Sequence, residues 1–315
     1  MISSRPGSPP AFSSVRQAIK QSLFAIGYYH QRLSNAVFPG VAVLCYHGVR
    51  RSGEATPFSD LHVTVETFER HCRLIADACQ PISLAEFREV RVGRRTLPPR
   101  AVMVTFDDGY RGVVEHALPL LERFRIPAVV FACARPILER RHFWFDTLWR
   151  RDGEAAVLKA RALPFHEWQA LVDSIDICTG DAESHQPLTP GELQRLAASP
   201  LIEIGGHTIT HPTLALAPID EQRREIAGCR TELERALGRS VAAFAYPYGS
   251  LLEDYTPQTV GVVREAGFDL AFTTGASFAT AQCDAFQIPR FVMLDAVDEV
   301  ELAHRLAHSW HTTVS

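Results

Sequence analysis

The chain has 315 residues, of which 46% are hydrophobic and 22% charged, which is enough to bury one large α/β core with decorations. A formal net charge of −4 with mixed signs leaves no basic stripe, so nucleic acid is excluded as a partner; the short arginine clusters at 91–95 and 140–141 are of the kind that lie on solvated faces. No run approaches the ~18–20 apolar residues of a spanning helix, and no basic start precedes an apolar core and a small-residue cleavage site, so a cytoplasmic chain is expected.

Taken in order, the first dozen residues are rich in Ser, Pro and Gly and are expected to be disordered. Residues 15–37 mix Leu23, Phe24, Ile26, Tyr28, Tyr29 and Leu33 with Arg16, Lys20 and Arg32. They predict a helical arm packed on the domain, with peripheral contact at the inner face of a membrane as the alternative for its amphipathic pattern. Short apolar runs at 41–46, 101–106, 128–133, 202–205, 241–246, 270–273 and 288–293 predict seven strands. Helical patterns at 65–78, 83–92, 112–124, 220–237 and 258–266 lie among them, an alternation that fits a βα barrel or a doubly wound sheet. Residues 137–200, with Phe143-Trp144-Phe145, Trp149 and Trp168, break the rhythm and predict an insertion. Seven cysteines are scattered without close pairs, several inside apolar runs, as buried thiols are in a reducing compartment.

Two clusters carry chemistry. Asp107-Asp108-Gly109-Tyr110 follows the strand at 101–106, and neighbouring carboxylates share a site only where the chain bends, which Gly109 permits. After the strand at 202–205, His207 and His211 stand four residues apart, a spacing that converges on a cation. Either pair alone is more often a turn, a cap or a structural contact. Both, with Tyr248 and His47, fall just past a predicted strand, on the rim where such folds collect catalytic groups.

These residues carry a resemblance. Thr105-Phe106-Asp107-Asp108-Gly109-Tyr110, His207-Thr208-Ile209-Thr210-His211 and Tyr246-Pro247-Tyr248-Gly249, in this order and together with Tyr46-His47-Gly48-Val49, resemble the polysaccharide deacetylases, the NodB homology family of carbohydrate esterase family 4. The likeness spans roughly residues 40–295. It implies a distorted (β/α) barrel of about seven strands with a helical insertion, a domain over 39–296 flanked by an extension at 1–38 and a C-terminal helix and tail at 297–315. It also implies one divalent metal, zinc in most members, and removal of N-acetyl groups from amino sugars of a polysaccharide or its precursor.

On that reading Asp108, His207 and His211 hold the metal with positions left open, as catalytic zinc requires. Asp107 is the general base, and Tyr110, Pro247 and Tyr248 wall the substrate groove, where Trp144 and Trp149 are also available. Many members carry an arginine two residues before the proline of the third motif, where this chain has Ala245; Arg290 is the expected replacement. The general-acid histidine of a late Leu-x-His context is missing, and His47 is the expected substitute. The alternatives are an amidohydrolase acting on a non-sugar amide, formamide or cyclic imide, a carbohydrate-binding module without turnover, and a structural metal site, which would normally need a fourth protein ligand.

Overall fold

The structure is a computed structural model that describes residues 10–175 and 184–308. Its scaffold is a parallel sheet of strands β1 (Ala42–Tyr46), β4 (Gln80–Pro81), β5 (Ala101–Phe106), β6 (Ala128–Ala132), β7 (Ile202–Gly206), β8 (Ala243–Ala245), β9 (Leu270–Phe272) and β10 (Phe291–Val292). The order is β10-β1-β5-β6-β7-β8-β9, with β4 pairing β5 outside this path. The path matches the seven predicted strands. The sheet curls until its ends nearly meet, since Phe272 bridges Ile288 just before β10 and Ile288 N–H donates to the Ala271 carbonyl at 2.9 Å. A barrel, rather than a doubly wound sheet, is the outcome. Two further short strands, β2 (Gly48–Arg50) and β3 (His62–Thr64), pair beside it.

Alternation along each strand splits the core in two. Val41, Val43, Ala101, Met103, Val129, Phe131, Ala243, Ala245, Leu270 and Phe272 fill the lumen. Ala42, Leu44, Tyr46, Val102, Val104, Phe106 and Val130 face outward, under helices that include α3 (Val65–Ala78), α5 (Leu118–Phe124), α11 (Ile219–Leu237), α12 (Pro257–Glu265) and α13 (Glu299–His308). Counting by twos extends the lumen face upward from Val43 to Cys45 and from Met103 through Thr105 to Asp107. The catalytic rim is therefore the top layer of the barrel's own side-chain stack.

The N-terminal arm forms α1 (Pro10–Ala25) and α2 (Tyr28–Ser34), broken at Gly27, whose φ of 76° ends one helix before the next. The helix begins at Pro10, and the expectation for residues 1–9 lies outside the described residues. Between β6 and β7 run α6 (Ala134–Leu138), α7 (Trp144–Asp152), α8 (Glu154–Arg161), α9 (Phe165–Ser174) and α10 (Pro190–Ala198). Helices α7–α9 form their own apolar cluster with Tyr110 and Cys133, whereas α10 takes a regular place against β7 and α11. Cys45, Cys72, Cys79, Cys133 and Cys229 are buried free thiols and Cys283 is half-buried; Cys178 lies outside the described residues. No helix of the described residues is long and apolar enough to cross a membrane.

One close approach pins the rim. A Cβ on Gly112 would stand 2.0 Å from the Val49 carbonyl oxygen and 2.9 Å from that of Ser184, so the loop after β5 sits flush against both only because residue 112 is glycine. Gly112→Ala is expected to lower the free energy of unfolding by about 1–3 kcal/mol. Gly261→Ala, inside α12 with open space around the new methyl, is expected to raise it by about 0.5–1 kcal/mol. Denaturant melts of the two variants check the contrast.

Candidate active site

Each catalytic loop leaves its strand through a backbone conformation that side chains seldom adopt. Asp108 (φ 69°), Thr208 (φ 66°), His211 (φ 64°) and Tyr248 (φ 62°) are all left-handed, as are Gly109 and Gly249. The bend at Asp108 lets adjacent carboxylates serve one site: Asp107 stays on the lumen face and Asp108 turns toward the histidines. Both are buried.

Asp108, His207 and His211 offer ligand atoms that all lie within 4.8 Å of one another. Asp108 Oδ1 is 3.3 Å from Nε2 of His207 and 3.3 Å from Nε2 of His211, yet these contacts miss hydrogen-bond geometry and the buried oxygen has no partner. His207 Nδ1 meets the Ala245 carbonyl at 2.8 Å, which fixes Nδ1 as the donor and leaves Nε2 to face Asp108. One carboxylate and two imidazoles converging on a shared point fit a divalent cation with positions left open by the protein. Burial pulls His207 down, but Asp108 and Asp107 outweigh it and hold the ring above its usual pKa; for His211 burial prevails and its pKa is lowered.

Asp107 is gripped from the lumen. Arg290, 0% exposed, donates from Nη1 to Oδ1 at 2.6 Å and from Nη2 to Oδ2 at 2.7 Å, a bidentate pair. Its Nε donates to the Thr273 carbonyl at 3.0 Å and its Nη1 to Thr105 Oγ1 at 3.3 Å, while the guanidinium carbon sits 5.4 Å from the Phe131 ring centre. The Cys45 thiol adds a contact to Asp107 Oδ2 at 3.4 Å. Burial pushes Asp107 upward, yet Arg290 and then His207 hold it below the usual carboxylate range. Arg290 thus occupies the place expected of it, and Ala245, at the position of the usual arginine, supplies only its carbonyl to His207.

His47 follows β1, whose Tyr46 is in register with Phe106, so it stands beside Asp107 on the rim. It is half-buried and its Nδ1 has no hydrogen-bond partner. Tyr248 presents its ring edge-on to His211 at 4.7 Å. On its other side Arg161 of α8 lies 3.7 Å from the Tyr248 ring centre and pairs with Asp254.

Two aromatic expectations change. Tyr110 is buried against His62 and Phe143, its hydroxyl 3.5 Å from Asp146 Oδ1, so it fastens the rim to the insertion instead of walling a groove. Trp144 is likewise buried and donates its indole N–H to the His211 carbonyl at 3.3 Å. Pro247 is buried within its turn, and Trp149 is half-buried, its ring centre 6.3 Å from that of Phe58.

Glu225 was not singled out by the sequence, although it lies on the buried stripe of α11 with Gln222, Ile226, Cys229 and Leu233. Its carboxylate accepts from Ile209 N–H at 2.9 Å, Thr210 N–H at 2.8 Å and Thr210 Oγ1 at 2.6 Å. It thereby closes the strained loop between the two histidines. Glu225→Ala is expected to weaken zinc binding by about 10–100-fold. Glu225→Gln, whose amide oxygen can still accept both N–H groups, is expected to stay near wild type; equilibrium dialysis of the metal, beside a thermal melt, measures both.

A family model described as polysaccharide deacetylase matches residues 94–271. The chain is 33% identical over 286 residues to the poly-beta-1,6-N-acetyl-D-glucosamine N-deacetylase of Escherichia coli (strain K12), a match covering 85% of this chain and 38% of that protein. It is 20% identical over 198 residues to the Staphylococcus aureus (strain MSSA476) protein of the same name, covering 63% of this chain and 56% of that one. The chain thus spans well under two thirds of the length of these curated relatives. Among solved structures, IcaB from Ammonifex degensii superposes with a TM-score of 0.61 at 22% identity, over 85% of this chain and 97% of that one. A Streptococcus pyogenes deacetylase in complex with acetate gives 0.60 at 18%, over 85% and 98%. The curled parallel sheet ringed by helices is the distorted (β/α) barrel that the motifs implied, and the chain belongs to the polysaccharide deacetylase family.

Proposed function

We propose that the chain is a metal-dependent N-deacetylase acting on poly-β-1,6-linked N-acetylglucosamine. The observation that carries the chemistry is a three-donor cluster, Asp108, His207 and His211, open toward a separate carboxylate that Arg290 keeps ionised. The printed activity of the Escherichia coli and Staphylococcus aureus relatives supports the polymer. A closed structural site would require a fourth protein ligand, and a module without turnover has no use for a clamped base.

Asp108, His207 and His211 would hold the cation, which when bound would supply Lewis acidity toward water and the amide oxygen. Asp107, fixed by Arg290 and not a member of the donor cluster, accepts the proton of the attacking water. As charge grows on the former carbonyl oxygen, the backbone N–H of Tyr248, set by its left-handed conformation, donates to it. His47 on the opposite side of the rim returns a proton to the departing amine.

The expected outcome is acetate release from β-1,6-N-acetylglucosamine oligomers by the zinc-loaded wild type. Asp107→Asn should abolish release while metal stays bound, and His211→Ala should lose both. His47→Ala should keep its metal and fall by about 100-fold or more in kcat. Metal binding with no release from these oligomers, but turnover of a formamide or cyclic imide, would move the assignment to a non-sugar amide.

The pH profile follows from the clamp. Asp107 acts ionised, so activity is lost as pH falls through its pKa, and Arg290 is the strongest influence lowering that pKa. Removing the guanidinium in Arg290→Met is expected to lower kcat and to shift the acidic edge of the profile upward in pH. Arg290→Lys, which keeps the charge without the fork, is expected to shift the edge less than Met while still lowering kcat. Initial rates across the acid range read both effects.

A further inference from the structure

Helix α1 is bound to the body by one face and presents an apolar stripe on the other. Leu23 and Phe24 pack on the core, Gln17 reaches Asp298 at 3.4 Å, and Lys20 pairs with Glu301 of α13. On the outer face Val15, Ala18, Ile19, Ser22 and Ala25 are exposed, as is Ile26 in the turn that follows the helix. Their spacing of three and four residues forms a single line along the helix. Val15 is 58%, Ile19 54% and Ile26 77% exposed; lone surface aliphatics are ordinary, but an aligned set on a well-packed helix is not.

Charge says what covers it. The first 53 residues contain six basic side chains, Arg5, Arg16, Lys20, Arg32, Arg50 and Arg51, and no aspartate or glutamate; Lys20 and Arg50 are taken up by Glu301 and Asp295, while Arg16 is exposed on α1 beside the stripe. An aliphatic stripe edged by an exposed arginine, on a helix without a carboxylate, suits an anionic bilayer: the aliphatic side chains enter the interface while Arg16 meets the headgroups. We propose that α1 is a membrane-surface helix that docks this protein on anionic lipid through Val15, Ile19 and Ile26. Gln17 meets Asp298 at the start of α13, the helix that follows β10, so the first turns of α1 lie at the rim end of the barrel. A bilayer along α1 therefore flanks the rim without covering it. The inference is independent of the chemistry at Asp107.

The test is sedimentation of the full chain with phosphatidylcholine vesicles, with and without phosphatidylglycerol. Wild type is expected to sediment with the mixed vesicles, less with phosphatidylcholine alone, and less as salt is raised. Ile19→Glu combined with Ile26→Glu is expected to cut partitioning by about tenfold or more with the melting temperature and acetate release from soluble oligomers unchanged. The uncharged Ile26→Ser guards against a misfolded double variant and should lower partitioning in the same direction. Wild type remaining in the supernatant, or variants that bind as well as wild type, would overturn the proposal. So would a dimer in light scattering that the double variant converts to monomer without any lipid binding, which would assign the stripe to a second copy.

Discussion

The buried ion pair between Asp107 and Arg290 is the constraint around which the top of the barrel is built. Two charges removed from water seldom add net stability, and losing one partner leaves the other costing about 3–5 kcal/mol. The pair tolerates this position because four of the five guanidinium N–H groups are bonded: the fork meets both carboxylate oxygens, Nε goes to the Thr273 carbonyl and Nη1 also to Thr105, while the Cys45 thiol adds a contact to Asp107. What the arrangement achieves is a carboxylate that is ionised and immobile within an apolar lumen. The clamp holds Asp107 apart from the cluster that Asp108 forms with His207 and His211, so two adjacent and chemically identical side chains stand in different environments.

Strain is the second cost. Four non-glycine residues in left-handed conformations, Asp108, Thr208, His211 and Tyr248, line one rim, at about 1–3 kcal/mol for each sparsely populated conformation. Tertiary bonds hold them. Glu225 ties down the backbone at Ile209 and Thr210. Thr208 Oγ1 accepts the His211 N–H at 3.0 Å, and the Ala134 N–H donates to the Thr208 carbonyl at 3.1 Å while Cys133 N–H donates to that of Asp108 at 3.0 Å. The turn after β6 thus bridges the aspartate loop and the histidine loop, although it contributes no ligand.

Much of this was legible in the sequence for one physical reason. Parallel strands buried on both faces are short continuous apolar runs, and β1, β5, β6, β8 and β9 announce themselves so, while Glu203 interrupts the run of β7 and Arg290 that of β10. Strands β2, β3 and β4 do not, being two or three residues long with Arg50, His62 or Gln80 among them. The donors were legible because their signal is local: adjacent aspartates before a glycine, and histidines four apart. Arg290 stood out as a charge inside an otherwise apolar run. Cys45 and Glu225 were not legible because their roles depend on register and on a helix crossing that no local spacing encodes. The aromatic residues misled because Tyr110 and Trp144 look identical in sequence whether they face a groove or a core.

Their inward orientation changes what the insertion is. Trp144 of α7 bonds the carbonyl of His211, a member of the donor cluster. Arg161 of α8 lies over Tyr248 and pairs with Asp254, and the Thr213 hydroxyl donates to the Arg161 carbonyl at 3.0 Å. Helices α7 and α8 are therefore bonded to the histidine loop and the Tyr248 loop, through contacts made on buried or half-buried atoms where displacement is resisted by packing. A decoration attached only at its ends could vary without touching the donors. This one cannot, because any shift of α7 moves the backbone of His211 and any shift of α8 moves the ring beside it. The packing of the insertion and the geometry at the donor cluster are in this chain a single mechanical problem.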